Sequence, residues 1–187
     1  HGTAYFALKY KKYAVPRETA NLKEPEKILA IHREYIKAGA NAIKTNTFGA
    51  NRAVFGESFA EIIRAGYAIA VNAAAEKNIH VFADIGPIPK EADIAEEECL
   101  AELLEIVDVF LELGADKFLF ETFDCPKNVL KAAAYIKEKR PQAFILAQFA
   151  VSPDGYTACG ISGKKIFELM AASPHVDAHG FNCVCGP

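Results

Sequence analysis

The chain carries the stretch Gly39-Ala40-Asn41-Ala42-Ile43-Lys44-Thr45-Asn46-Thr47-Phe48, and its outline returns as Gly114-Ala115-Asp116-Lys117-Phe118-Leu119-Phe120-Glu121-Thr122-Phe123. In both copies a helix ends at Gly-Ala-Asn/Asp, an apolar strand follows, and a polar residue, Thr and Phe close it. Glycine commonly ends a helix, so the shared ending is the more specific part of the match. The repeat places Asn46 and Glu121 at equivalent positions, the carboxyl ends of parallel strands, where such folds build their active sites.

Helix and strand patterns alternate along the rest of the chain. Apolar residues recur at three- and four-residue spacing in each predicted helix, and each predicted strand follows a helix. The predicted helices are 24–38, 58–76, 96–113, 126–139 and 164–172, and the predicted strands are 42–48, 80–85, 117–122, 143–149 and 177–183. This strict alternation predicts an α/β fold in which helices pack against a parallel sheet.

Two α/β architectures fit this pattern. An open doubly wound sheet suits 187 residues, whereas a closed eight-stranded barrel typically needs about 250 residues. The open sheet would normally carry a glycine-rich phosphate loop after its first strand, and neither G-x-G-x-x-G nor G-x-x-x-x-G-K-[ST] occurs here. Residues 1–23 also lack a convincing strand. A barrel without its first strand and its last two therefore stays open as the alternative.

The bulk composition is that of one ordinary globular domain, residues 1–187. The sequence is 51% hydrophobic and 24% charged, which excludes a disordered chain. A formal net charge of −3 offers no basic surface, and no apolar run approaches the roughly 20 residues of a membrane span. We therefore expect no nucleic acid and no membrane as partners. Because the cysteine count of five is odd, we expect reduced thiols in a cytoplasmic protein.

Glu121 is the first residue that could take part in chemistry. It ends an apolar strand, where a carboxylate is partly desolvated unless it meets a cation or hydrogen-bond donors. It could bind a substrate ammonium group there, and a solvated strand-end carboxylate is the plainer interpretation. The turn from Thr45 to Arg52 could recognise a small zwitterion or could be an ordinary strand-to-helix turn. The stretch Asp84-Ile85-Gly86-Pro87 has the same two interpretations.

The last segment, Gly180-Phe181-Asn182-Cys183-Val184-Cys185-Gly186-Pro187, places a cysteine at the tip of a predicted strand. Cysteine thiolates are common zinc ligands, and a catalytic zinc site takes three protein ligands and keeps one open position. The C-x-C pair is a weak signal by itself, and a buried structural cysteine is the alternative for Cys183. Neither an H-x-x-x-H nor a C-x-x-C motif supplies further ligands.

Taken together, five segments in order make the chain resemble the homocysteine-binding domain of the homocysteine S-methyltransferases. This family includes the first module of cobalamin-dependent methionine synthase and betaine–homocysteine methyltransferase. The segments are 31–35 with 38–40, 45–52, 84–87, 121–123, and 180–183 with 186–187. The stretches Asp-Ile-Gly-Pro and Asn-Thr-Phe-Gly-Ala-Asn-Arg resemble the methionine synthase branch more closely than the betaine branch.

The resemblance implies an eight-stranded β/α barrel of the TIM type, with its site at the carboxyl ends of the strands. It implies a zinc-dependent transfer of a methyl group to the thiolate of homocysteine, which gives methionine. Cys183 matches the first of three zinc-binding cysteines, and Glu121 matches the carboxylate that holds the substrate's amino group. Thr45 falls where the family contacts the amino acid part of homocysteine. We expect Asn46 and Asn182, beside these positions, to bind substrate as well.

The chain also departs from the family pattern. The family's other two zinc ligands form a Cys-Cys pair well downstream of the position of Pro187, and its opening strand, with an acidic residue before Gly-Thr, is not recognisable here. We therefore expect a barrel domain truncated at both ends, with further modules in a longer chain. The 187-residue chain alone is expected to bind zinc poorly and to lack methyl transfer. The sequence does not determine the methyl donor, and methylcobalamin, methyltetrahydrofolate, betaine and S-methylmethionine all stay open.

Two other functions stay open at the level of sequence. One is a non-catalytic barrel remnant that binds an amino acid without zinc. The other is an aldolase-type barrel enzyme with Glu121 as its base. That chemistry needs a lysine at a strand tip for a Schiff base, and Lys44 is the nearest option, one residue out of step with Thr45 in the strand alternation.

Overall fold

A computed structural model of the protein describes residues 15–75, 79–89 and 95–184. The helices are α1 (Ala20–Lys23), α2 (Pro25–Lys37), α3 (Arg52–Phe55), α4 (Phe59–Ala74), α5 (Glu96–Glu112), α6 (Pro126–Lys139) and α7 (Gly163–Ala171). The strands are β1 (Ala42–Lys44), β2 (His80–Ile85), β3 (Lys117–Phe123), β4 (Phe144–Phe149) and β5 (Ala178–Phe181). Within the described ranges, no helix has the length and apolar character needed to cross a membrane.

The order of the strands decides between the two architectures. The five strands form one sheet in the order β1-β2-β3-β4-β5, and every neighbouring pair is parallel. Because β-α-β crossovers are right-handed, a sheet wound in one direction carries its helices on one side. Consecutive helices α2, α4, α5, α6 and α7 accordingly contact one another along the chain. The fold is therefore an incomplete TIM-type barrel, and the doubly wound alternative is wrong.

The two faces of the sheet have different chemistry. Alternate strand residues face the helices and form the core, where they are almost completely buried: Ala83, Ile85, Phe118, Phe120, Ile145, Ala147 and Phe149. The residues between them occupy the opposite face, which is the inner face of a barrel wall. That face is apolar near the amino ends of the strands, where Phe82 and Phe144 pack edge to face. It becomes charged near the carboxyl ends, at Lys44, Asp84 and Glu121.

The repeated sequence pattern corresponds to two equivalent helix-to-strand connections. Gly39 follows α2 with a φ of 101°, and Gly114 follows α5 with a φ of 85°. L-residues rarely adopt this left-handed region, whereas glycine does so without a steric penalty. The positive φ at Gly39 and Gly114 thus explains why both copies of the repeat begin with glycine. The strands that follow, β1 and β3, are separated by β2 in the sheet.

The observed element boundaries agree with the predicted ones to within a few residues, except in two places. The strand predicted for 42–48 ends at Lys44, because the residues after it turn and form side-chain hydrogen bonds with the backbone of Asp84. The strand predicted for 177–183 ends at Phe181, since Cys183 and Val184 both have positive φ.

Among the described residues, four short helical turns were not predicted: Arg17–Thr19, α1, α3 and the 3-10 turn Gly56–Ser58. Arg17–Thr19 forms a 3-10 turn that leads into α1, and α3 begins after Asn51, whose side chain accepts a hydrogen bond from Val54 N. The first two of these turns lie in residues 17–23, a region that the hydrophobic pattern left unassigned. They pack beside the carboxyl end of β1.

Candidate functional site

The carboxyl ends of β2, β3 and β5 bring together polar residues that lie far apart in the sequence. Glu121 lies near the end of β3, and Asn182 directly follows β5. Asn182 Nδ2 donates hydrogen bonds to Glu121 Oε1 at 3.3 Å and to Thr122 Oγ1 at 2.8 Å. Two of the predicted site residues, Glu121 and Asn182, are therefore in direct contact.

Cys183 lies at the same place. Its thiol is half-buried, and its sulfur accepts contacts from Thr122 Oγ1 at 3.7 Å and from Asn182 Nδ2 at 3.6 Å. These two contacts hold the sulfur atom in place, and cysteine sulfur is a common metal ligand. Cys183 is thus connected to Glu121 through Asn182, which contacts both side chains.

Two strained residues build this corner. Thr122 has a φ of 63° and Cys183 a φ of 57°, conformations that cost on the order of 1–3 kcal/mol for residues with a side chain. The bend at Thr122 coincides with a register shift between β3 and β4, and it turns the hydroxyl of Thr122 toward β5. This bend could not be predicted from the sequence, because a β-branched residue normally disfavours positive φ.

An ion cluster connects Glu121 to the two preceding strands. Lys44 Nζ, at the end of β1, contacts Glu121 Oε2 and lies 3.1 Å from Asp84 Oδ2. Asp84 is 1% exposed and Glu121 is 8% exposed. The alternation of the strands puts all three residues on the inner face, at the end where the strands terminate. The cluster could not be predicted from the sequence, because it depends on the register between the strands.

Burial and charge act in opposite directions on these groups. Burial raises the pKa of Asp84 well above its usual range, and the neighbouring Glu121 raises it further, while Lys44 opposes both. Partial burial would lower the pKa of Lys44, but the carboxyl groups of Asp84 and Glu121 outweigh it and raise the pKa. A Schiff-base lysine needs a lowered pKa to be nucleophilic at neutral pH. Lys44 does not fit that role, so the aldolase-type alternative is not supported.

Thr45 and Asn46, the other predicted substrate-binding residues, are engaged in the turn after β1. Thr45 is 1% exposed, and its Oγ1 accepts a hydrogen bond from Asp84 N at 2.9 Å and contacts Thr47 Oγ1 at 2.6 Å. Asn46 Nδ2 donates to Asn21 Oδ1 at 2.9 Å and to Arg17 O at 3.3 Å. Thr45 therefore fixes the position of Asp84, and Asn46 fixes the chain before α2. Their contact with substrate stays a prediction.

A metal ion at this site would need more ligands than the described residues supply. Cys183 is suitable as one soft ligand. Within residues 15–75, 79–89 and 95–184, however, there is no group of three His, Cys, Asp or Glu side chains that could hold a metal ion. Cys185 lies outside the described residues. The described part of the chain thus fits one zinc ligand and does not by itself form a zinc site.

Comparison with known proteins agrees with the geometry. Residues 5–187 match the family model described as homocysteine S-methyltransferase. The chain belongs to the homocysteine S-methyltransferase family. It is 31% identical over 188 residues to methionine synthase of Mycobacterium tuberculosis, a match that covers 91% of this chain and 16% of the relative. It is 27% identical over 202 residues to betaine–homocysteine S-methyltransferase 1 of Danio rerio, covering 100% of this chain and 48% of the relative.

A solved structure has a similar fold. The homocysteine methyltransferase MmuM from Escherichia coli, in its metallated form, matches with a TM-score of 0.74 and 21% identity. The match covers 96% of this chain and 72% of that structure. At this level of identity the likeness concerns the fold, and it agrees with an incomplete TIM-type barrel. The chain spans about half or less of the length of the curated relatives it matches.

Proposed function

We propose that this chain is the homocysteine-binding part of a zinc-dependent enzyme that transfers a methyl group to the sulfur of homocysteine and so forms methionine. The observation that carries the proposal is the contact of Glu121, Asn182 and Cys183 at the ends of β3 and β5. A carboxylate that can hold an ammonium group lies there beside a cysteine that can bind a metal. Homocysteine carries an ammonium and a thiol, so its two functional ends match the two halves of the cluster.

Glu121 is proposed to bind the ammonium group of the substrate. Its side chain is only 11% exposed, so a cation that it binds is largely removed from water, and their attraction is strengthened. Asn182 holds one of its oxygens, Oε1, at 3.3 Å, which fixes the direction of the other. Glu121 is thereby oriented before a ligand arrives, which lowers the entropy cost of binding.

Cys183 is proposed to be one ligand of a zinc ion, whose remaining ligands lie outside the described residues. When bound, zinc would stabilise the charged form of the homocysteine sulfur and so raise its reactivity near neutral pH. The chain's own contribution is to hold the Cys183 sulfur in place. The hydroxyl of Thr122 and the amide of Asn182 both contact that sulfur, and partners of this kind orient a metal ligand.

The methyl donor is proposed to be methylcobalamin or methyltetrahydrofolate, in keeping with the identity to methionine synthase. Further modules of a longer chain would then bring the donor to the open end of the barrel. A non-catalytic barrel that only binds an amino acid is the competing function. The two differ in whether zinc is bound and in whether methionine is formed.

The proposal is tested by measuring methionine formation from homocysteine in the full-length protein, with each donor in a separate assay. We expect activity with one of them and its loss on treatment with a zinc chelator. Cys183→Ser should abolish the activity, while Cys159→Ser, which changes an exposed cysteine, should leave most of it. Binding of homocysteine with no methionine formed from any donor would favour the non-catalytic function instead.

A further inference from the structure

Lys44 is the charged residue in the cluster that the proposed function has not used. Its side chain is 43% exposed, whereas those of Asp84 and Glu121 are 1% and 11% exposed. The lysine thus reaches from the open inner face of the sheet toward two carboxyl groups at the strand ends. Four methylene groups give it freedom to move that the two acids do not have.

The lysine occupies the position that a substrate ammonium group would need. Glu121 Oε1 accepts a hydrogen bond from Asn182, and Lys44 Nζ contacts Glu121 Oε2. A second ammonium group at Oε2 would bring two like charges to one oxygen, so we expect Lys44 to move away when the substrate binds. Such an exchange replaces one cation with another, so Glu121 is not left buried with an unpaired charge, which would be costly. Lys44 retains a partner in Asp84, at 3.1 Å.

Two buried oxygens in the same corner have free capacity to accept hydrogen bonds. In the described part of the chain, Asp84 Oδ1 and Asn182 Oδ1 are buried and have no hydrogen-bond partner. Buried polar atoms without a partner are rare and call for an explanation. A ligand with several N–H donors would supply the partners. The ammonium group of an amino acid, with three such donors, has the required chemistry.

The covalent structure of an α-amino acid then determines where its carboxylate lies. The carboxyl carbon is about 2.5 Å from the amino nitrogen, because only one carbon separates them. An ammonium group on Glu121 Oε2 thus brings a carboxylate next to the displaced Lys44. We propose that Lys44 binds this α-carboxylate, so that Glu121 and Lys44 together select a zwitterionic α-amino acid. The inference rests on the proposed function, since homocysteine is the amino acid in question.

The arrangement of charges supports this role. The cluster has one cation and two carboxyl groups, and a zwitterion adds no net charge to it. In the exchanged state the substrate ammonium is paired with Glu121 and the substrate carboxylate with Lys44, which still lies beside Asp84. A thiol that lacks the carboxylate would displace Lys44 without giving it a new partner. Such a ligand should bind more weakly.

The test compares two ligands on the full-length protein by titration calorimetry: homocysteine and its decarboxylated analogue, an aminopropanethiol. The native protein should prefer homocysteine by about tenfold or more, the value of one hydrogen bond between charged groups. In Lys44→Met this preference should fall to about twofold or less, because affinity for homocysteine drops while affinity for the analogue does not. Lys44→Arg should retain most of the preference, because it retains the cation.

Three outcomes separate the possible errors. An unchanged preference in Lys44→Met, or equal losses for both ligands, would overturn the role of Lys44 and leave the proposed function standing. Failure of the native protein to bind homocysteine would overturn the proposed function itself. Lys37→Met, a change at an exposed lysine at the end of α2, is the matched control and should behave as the native protein. If Lys44→Met fails to fold, Lys44→Gln, which removes the charge and keeps a polar side chain, takes its place, and an unchanged preference in that variant would overturn the role of Lys44.

Discussion

The two copies of the repeated pattern both end in a polar residue, Thr and Phe, but these residues make different contacts in the two copies. In the first, Asn46-Thr47-Phe48 forms a tightly bonded turn, with the hydroxyl of Thr47 donating to Asp84 O at 2.7 Å. In the second, Glu121-Thr122-Phe123 bends at positive φ and presents the hydroxyl of Thr122 to Cys183. Equivalent positions at the ends of two strands therefore need not have the same role. The role of each depends on the residues that neighbouring strands and turns bring into contact with it.

The largest effect expected from this comparison is on ligand affinity at Glu121. Glu121→Gln keeps the shape of the side chain and removes the charge that is proposed to hold the ammonium group. We expect affinity for homocysteine to fall by about 100-fold, since removing one partner of a buried charge pair typically costs 2–5 kcal/mol. Titration calorimetry measures this directly. Glu61→Gln, at an exposed position of α4, is the control and should bind normally.

Changes at the first turn, Asn46-Thr47-Phe48, should instead alter the stability of the fold. A Cβ atom added at Gly86 would lie 2.4 Å from Phe48 O, and a backbone atom cannot move aside easily. Gly86→Ala should lower the free energy of unfolding by about 1–3 kcal/mol, measured by urea denaturation. Gly180 offers the matched control, because a Cβ there meets nothing within 4 Å. Equal stability of the two variants would show that the turn is looser than described.

The equivalent threonines of the two copies, Thr47 and Thr122, allow the two turns to be compared by the same substitution. Thr47→Val leaves the buried carbonyl of Asp84 without its donor, so it should destabilise the fold by about 1–2 kcal/mol with little change in metal content. Thr122→Val removes a donor to Cys183 Sγ. Compared with Thr47→Val, it should lower the metal content more and the free energy of unfolding less. Unfolding curves and metal analysis of both purified variants check the prediction. The same ratio of effects in both variants would mean that the two turns are functionally alike.

The smallest effect expected is a pH dependence at Asp84, which lies between the two regions. Burial raises the pKa of this carboxyl group in the folded state above its unfolded value. The folded state therefore holds the proton more tightly, and this contribution to stability is lost as the pH rises from the unfolded value of about 4 through the raised folded value. Asp84→Asn should remove that slope in the free energy of unfolding. Asp154→Asn, at an exposed position, should leave it unchanged.

Much of the fold was predictable because it depends on local periodicity. Helix α6 was predicted at its observed bounds, Pro126–Lys139, since a proline marks its first turn and its apolar spacing is regular. The order of the strands was not predictable from the pattern alone. Length favoured the open sheet, and the family resemblance correctly indicated the barrel.

The sequence proposes the residues of the candidate site, and their roles stay a prediction. Glu121, Asn182 and Cys183 were each proposed from strand-end position and resemblance, and the structure shows that Asn182 contacts both of the others. The contact of Lys44 with Glu121 spans 77 residues of sequence and depends on the register of three strands. The bonding of Asn46 to Asn21 depends on residues 17–23, which carry too weak a pattern to be assigned.

The central claim, that the corner formed by Glu121, Asn182 and Cys183 is a metal-assisted homocysteine site, is tested most directly by zinc content. Zinc per chain would be measured by elemental analysis in the full-length protein, in Cys183→Ser and in Cys159→Ser. The account predicts stoichiometric zinc in the native protein and in Cys159→Ser, and its loss in Cys183→Ser. Stoichiometric zinc retained by Cys183→Ser would contradict the account, because the metal would then be held somewhere other than this corner.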